Sequence, residues 1–197
     1  MHRHGHLGLA LLVLAPIVYV LASSGQPALA LLVAVGVITV EPRPDNDHWI
    51  PGLSHRGVSH SLTAAGIIGV ICAGFGWLLG RYVTVPLAEW LAATTAGIDT
   101  TSITVVIDQL AALDPATLTF AGFAVGVGGI CVHLAGDIIT TSGIKPFLPF
   151  SRRRVSLSGL HADSTLANSV LFLAGTVAMA TVGYMLSLQW QCWWLVF

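Results

Sequence analysis

The sequence predicts an all-α membrane protein, a polytopic bundle of about five transmembrane helices with a short insertion at one end. Of its 197 residues, 55% are hydrophobic and only 9% are charged, whereas soluble domains carry about 25% charged residues. Five apolar stretches approach the about 20 residues that a helix needs to cross a bilayer. They comprise residues 7–24, 27–40, 58–80, 117–139 and 164–189. The net charge of −1 offers no basic surface for nucleic acid, which we exclude as a direct ligand.

The first two stretches are expected to form a helical hairpin. Pro27 suits the first turn of the second helix, because a proline there loses no hydrogen bond. A cleaved signal peptide is the alternative, since a basic start and an apolar run precede the small residues Ala28 and Ala30. We favour a retained first helix because cleavage would discard His6 and leave the second stretch without its partner.

The segment 82–115 is too polar to be a confident span, since it carries Glu89, Asp99 and Asp108. We expect a surface hairpin or interfacial helices there, as an insertion at the outer face. The whole chain, residues 1–197, is expected to form one membrane-embedded domain.

The basic residues predict the orientation of the bundle. With five spans, every lysine and arginine except Arg81 lies in a connection at the same end as the N-terminus. Positive charge favours the cytoplasmic side of a membrane. We therefore expect a multi-pass protein of the cytoplasmic membrane whose N-terminal end faces the cytoplasm.

The same topology gathers the unusual polar residues at that cytoplasmic end. His6 lies in the opening turn of the first helix, and PRPDNDHW follows the second. HRGVSHS opens the third helix, and HLAGDIITTSG closes the fourth. Since adjacent spans run in opposite directions, residues scattered at random would fall on both sides.

Two pairs in these segments have spacings that suit a metal ion. His133 and Asp137 are four apart on a helix and therefore share one face. Ionisable groups at this depth are unfavourable unless they are paired, hydrated or metal-bound. His60 is expected about one turn into the third helix with His55 just before it, so both rings can approach a common centre. The alternatives are a hydrogen-bonded pair that caps the bundle and histidines that serve as helix caps or interfacial residues.

The remaining polar residues are more ambiguous. Asp45 and Asp47 alternate in a proline-bordered loop, where an extended backbone would point both carboxylates the same way. One could bind a metal and the other act as a base, although such a sequence also forms turns for structural reasons. His161 could be a further ligand or a helix-start residue. The run from Arg152 to Arg154 is typical of a topology signal or a lipid contact, with a substrate phosphate as the alternative.

Several of these motifs together resemble the YdjM-type family of LexA-binding, inner-membrane-associated metal-dependent hydrolases. The resemblance spans nearly the whole chain and departs mainly in the long segment 82–115. It rests on GHL at 5–7, PDNDH at 44–48, HRGVSHS at 55–61, HxxxDxxTxxG at 133–143 and PFSRRR at 149–154. Only HRGVSHS is distinctive by itself.

The resemblance implies a membrane-embedded hydrolase similar to zinc-dependent phospholipase C. By motif, the site would comprise His6, Asp45, Asp47, His55, His60, His133 and Asp137. The expected cofactor is a divalent metal, with zinc as the expected ion, because zinc suits imidazole and carboxylate ligands and acidifies water. The set is large enough for two ions.

We assign catalytic roles to Asp45, Asp47 and Arg56, and metal binding to the other members of the set. Asp45 or Asp47 would accept a proton from the attacking water. Arg56 would orient a phosphoester, because guanidinium groups contact phosphate in a bidentate manner. Membrane lipid is the expected partner, and a phospholipid head group is the nearest substrate.

Two rival functions remain open at this point. Buried Asp and His pairs also mark the ion pathways of metal or proton transporters, although those groups should lie near mid-membrane. The other rival function is that of a membrane-anchored interaction protein whose histidines only stabilise the bundle. The sequence contains no GxSxG and no P-loop motif, so the hydrolase interpretation depends on a metal.

Overall fold

The computed structural model describes residues 1–49, 57–95, 101–157 and 159–196. Most of these residues are helical, as the sequence predicts. The only β-structure in these ranges is two isolated bridges. Five helical segments are long and apolar enough to cross a membrane. The helices are α1 (Arg3–Ser23), α2 (Pro27–Val40), α3 (Leu62–Leu79), α4 (Val85–Thr94), α5 (Thr101–Ala112), α6 (Pro115–Ile138) and α7 (Thr165–Val196).

The predicted hairpin of α1 and α2 is present. Gly25 has a φ of 83° in the turn, a left-handed conformation that favours glycine. Pro27 then occupies the first turn of α2. On its other side α1 packs along α7, where a side chain at Gly8 would meet the backbone of Leu171 and Phe172. The first helix is thus held between two neighbours.

The closest helix pair is α3 with α6. Small residues let the two backbones approach, because a Cβ atom at Gly126 would lie 2.7 Å from the Cα atom of Gly69. Close packing of small residues is the usual way in which helices associate in membranes. Towards the end that holds the polar cluster, Ala65 packs with Ile130 and Leu134. This contact fixes the position of the residues just before α3 relative to the end of α6.

The third helix does not end near residue 80, as the sequence suggested, but continues through a π turn over Gly80–Thr84 into α4. The π turn lies just before Pro86, which lacks an N–H group and disturbs the regular hydrogen bonds of the preceding turn. Where we expected a surface hairpin or interfacial helices, the segment holds two helices, and α5 packs against α4. The side-chain amide of Gln109 donates through its Nε2 atom to the carbonyl of Gly25 at 2.8 Å. The insertion therefore lies at the α1–α2 turn, opposite to His6.

The start of α3 also differs from the expectation. Ser61 is its N-cap, and the Ser61 hydroxyl accepts a hydrogen bond from the backbone N–H of Ala64 at 3.2 Å. Val58–His60 forms a separate 3-10 turn. His60 consequently precedes the helix, because a serine at this position ends the helical path towards the N-terminus.

Candidate metal centre

Six ionisable side chains are buried together where α1 begins and where α2 and α6 end. Each has at most 4% of its surface exposed. Such groups are stable in an apolar environment only when they have partners of opposite charge or a bound cation. The six are His6, Glu41, Asp47, His60, His133 and Asp137. The side chain of Asp45 lies at the edge of this group and is 48% exposed.

Four atoms of this group lie close together, and those of Asp45, His60 and His133 form one candidate ligand set. The Nε2 atoms of His60 and His133 are 3.4 Å apart. Asp45 Oδ1 lies 3.3 Å from the first nitrogen and 3.4 Å from the second. Asp137 Oδ2 completes the set at 3.6 Å and 3.7 Å from the same two nitrogens.

These five separations are close to the edge lengths of a tetrahedral metal site, that is, the distances between pairs of ligands on one ion. Ligand atoms about 2.0–2.1 Å from a zinc ion in tetrahedral geometry are about 3.3–3.4 Å from one another. The observed edges are within a few tenths of an ångström of that value. Two nitrogens and two oxygens also form a donor set that suits zinc. The residues therefore fit a divalent cation.

The ring orientations of both histidines favour the same interpretation. His133 Nδ1 lies 3.0 Å from Glu41 Oε1. His60 Nδ1 lies 3.1 Å from the hydroxyl of Ser59, which itself donates to Asp47 Oδ2 at 2.9 Å. An ionised carboxylate and a hydroxyl whose hydrogen is engaged can only accept, so each Nδ1 carries the hydrogen. In a neutral ring the lone pair is then on Nε2, which is the tautomer that binds a metal through this atom.

His6 lies beside this set rather than in it. Its ring stacks on that of His133, with centroids 4.2 Å apart and planes 5° from parallel. Its Nδ1 lies 3.3 Å from Glu41 Oε1 and its Nε2 lies 3.5 Å from Asp137 Oδ1. Neither nitrogen makes a hydrogen bond within the described residues. Ligand atoms of His6, His133 and Asp137 also lie within 4.8 Å of one another, so His6 can join a metal site.

The two aspartates of the loop differ in position, contrary to the sequence interpretation. We expected an extended backbone that points both carboxylates the same way, but Pro44–Trp49 forms a 3-10 helix. With three residues per turn, side chains two positions apart diverge. Asp45 therefore faces the centre, while Asp47 lies behind His60 with its Oδ2 3.5 Å from Nδ1.

Three further residues of the sequence prediction are His55, Arg56 and His161. His55 and Arg56 lie outside the residues that the structure describes, so their roles stay predictions. His161 is exposed and belongs to neither group of ligand atoms. Its helix-start alternative fits better, because its carbonyl accepts from the backbone N–H of Ser164 at 3.0 Å just before α7.

Sequence reasoning missed Glu41. Only 4% of its surface is exposed, and one carboxylate oxygen contacts both His6 and His133. The signal was available, because Glu41 directly follows the second apolar stretch at the end where the histidines gather. An acidic residue at that depth needs a partner.

We expect Glu41→Gln to weaken metal binding about tenfold to hundredfold, the usual effect of removing a carboxylate that holds a metal-binding histidine. The amide keeps the size of the side chain but loses the charge that stabilises the Nδ1–H form of His133. Competition against a chromogenic chelator in detergent solution measures the affinity. Glu89→Gln is the matched control, since Glu89 is exposed on α4. Equal affinity in the Glu41 variant and the wild type would contradict this role.

The comparisons with known proteins give one match. A family model described as YdjM inner membrane protein matches residues 1–197. No curated protein and no solved structure matches the chain. The match covers all seven helices and every residue of the cluster.

Proposed function

Since the chain belongs to the YdjM inner membrane protein family, we propose that it is a membrane-bound metal-dependent hydrolase acting on a phosphoester. A phospholipid head group is the nearest such substrate in a membrane. The observation that carries the proposal is the convergence of two imidazole nitrogens and two carboxylate oxygens with edges of 3.3–3.7 Å. Catalytic zinc keeps three protein ligands and leaves the fourth position for water, so three of these four donors would hold the ion.

A bound cation also accounts for the local electrostatics. Asp137 has 1% of its surface exposed, and its Oδ2 lies 3.6 Å and 3.7 Å from the Nε2 atoms of His60 and His133. Carboxylates and ring nitrogens buried this close together need protons or a cation among them. A divalent ion would supply that positive charge. We therefore propose His60, His133 and Asp137 as ligands, with Asp45 and His6 beside them.

The exposed fractions of Asp45 and Asp47 indicate which role each could take in the proposed reaction. A bound metal would supply a Lewis acid that polarises the phosphoester and acidifies water. Asp45 is the half-exposed member, so it meets incoming water and is the better proton acceptor. Asp47 has 1% of its surface exposed and contacts Ser59 and His60, so it holds the His60 ring instead. Arg56 is proposed to orient the phosphoester.

The orientation of the site is part of the proposal. Arg43 follows α2 and Lys145 follows α6, at the end of the bundle that holds the cluster. The positive-inside bias then favours a site that faces the cytoplasm.

The distribution of ionisable residues supports an enzyme over a transporter. No Asp, Glu, Lys, Arg or His occurs in residues 7–40, 62–80 or 115–132 of the sequence. A transporter needs such groups near mid-membrane with access from both sides. A pure interaction protein is the other rival, and it would function without a metal.

The test is hydrolysis of a chromogenic phosphodiester and of a short-chain phosphatidylcholine by the detergent-purified full chain. We expect zinc, manganese or iron to support turnover of at least one substrate, and we expect a chelator to abolish it reversibly. Asp108→Asn is the control for an acidic change on α5, away from the cluster. Protein that stays metal-free when each ion is offered would contradict the metal site. Metal-loaded protein that hydrolyses neither substrate would contradict the hydrolase.

A further inference from the structure

We propose that residues 145–157, which we name the basic loop, form a binding surface for anionic phospholipid head groups. The loop follows α6 and carries four exposed cationic side chains: Lys145, Arg152, Arg153 and Arg154. Residues 139–161 contain no Asp or Glu, so the loop cannot neutralise its own charge. The proposal is independent of the metal centre and of any hydrolase activity.

Backbone hydrogen bonds fix the loop at the end plane of the bundle. The N–H of Leu62, the first residue of α3, donates to the carbonyl of Pro146 at 2.8 Å. The N–H of Leu157 donates to the carbonyl of Ile138, the last residue of α6, at 2.8 Å. Both helix termini are ends of candidate membrane spans. The loop therefore lies where the hydrocarbon core meets the head groups.

A side-chain contact and a backbone bridge hold the loop in this position. The hydroxyl of Thr63 donates to the carbonyl of Leu148 at 2.7 Å. Ile144 and Val155 form an isolated antiparallel bridge, and Ile144 is 2% exposed. The charged side chains are thus displayed on a defined scaffold and not on an unstructured segment.

The apolar side chains of the loop distinguish a membrane surface from a soluble polyanion. Phe150 is 88% exposed, Leu157 is 74% exposed and Phe147 is 48% exposed. Large exposed apolar groups beside cationic ones are typical of segments that lie in the membrane interface. A soluble phosphate or nucleic acid would satisfy the arginines but would leave these side chains in water. Anionic lipid satisfies both, because it presents phosphate above and acyl chains below.

The experiment titrates the full chain, purified in a neutral detergent, with dioleoyl phosphatidylglycerol or dioleoyl phosphatidylcholine. Thermal unfolding and native mass spectrometry report the bound lipid. We expect phosphatidylglycerol to bind more tightly and to raise the melting temperature more, with a shift that decreases as salt is added. In Arg152→Gln/Arg153→Gln/Arg154→Gln the affinity for phosphatidylglycerol should fall on the order of a hundredfold. Arg81→Gln, an exposed arginine at the opposite end, is the matched control.

Three outcomes would overturn the proposal. One is equal binding of the two lipids by the wild type. Another is unchanged phosphatidylglycerol affinity in the triple variant, which would make the run a topology signal only. The third is an equal melting shift with inorganic phosphate alone, which would indicate a soluble anion. Melting of each lipid-free variant at the wild-type temperature shows that the fold is retained.

Discussion

Replacing His60 with alanine is expected to abolish metal binding and, with it, any hydrolysis. Its Nε2 is within 3.3–3.6 Å of three other candidate ligand atoms, from Asp45, His133 and Asp137. Removing the ring leaves His133 and Asp137 as the two remaining proposed ligands, fewer than the three that a catalytic zinc needs. The effect should therefore exceed the about tenfold to hundredfold loss that follows removal of a carboxylate behind a ligand.

Metal analysis of purified protein and the phosphodiester assay measure the two consequences separately. His161→Ala is the matched control, because His161 is exposed and should be replaceable without loss of metal or activity. Asp137→Asn is expected to behave like His60→Ala. Full metal content in His60→Ala would refute the proposed ligand set.

A folding defect must be separated from the loss of a ligand, since His60 is fully buried. The comparison is between chelator-treated wild type and chelator-treated His60→Ala. If both melt at a similar temperature, the variant folds. A difference in melting temperature that appears only when metal is added then reports the loss of the binding site. If only the variant is unfolded without metal, Asp137→Asn provides the independent test.

The sequence was sufficient to predict the helices and the end at which the site forms. Apolar length identifies the spans, and the alternating direction of successive spans brings His6, His60 and Asp137 to one end. The spacing of His133 and Asp137 predicts that they share a face, and their Nε2 and Oδ2 atoms lie 3.7 Å apart. These predictions depend only on the helical repeat and on chain connectivity.

The division of labour among the acidic residues could not be predicted in the same way. Asp45 and Asp47 differ because the loop is a 3-10 helix, and loop conformation depends on tertiary contacts that no local pattern encodes. Glu41 contacts His133 across a sequence separation of 92 residues. Such a contact follows from how α2 packs against α6 and not from a motif.

The contact between α3 and α6 sets the position of His60 relative to His133. A substitution that disturbs this contact is therefore expected to have the second large effect on metal binding. In Gly126→Val, the new Cβ atom would lie 2.7 Å from both Gly69 Cα and the carbonyl oxygen of Ile68. These are backbone atoms, so the helices must separate to admit the side chain. Overpacking of this kind destabilises proteins by about 1–3 kcal/mol, and occasionally by more.

We expect Gly126→Val to lower both the melting temperature and the metal affinity. Gly126 lies seven residues before His133 on α6, about two turns away. On α3, Gly69 lies about one turn after Ala65. A displacement there changes the 3.4 Å separation of the two Nε2 atoms on which the proposed metal site depends. Gly128→Val is the matched control, because a Cβ atom at Gly128 meets nothing within 4 Å. Thermal unfolding and chelator competition on both variants measure the effect. If Gly126→Val matched Gly128→Val in stability and metal affinity, the packing of α3 on α6 would not be what positions the site.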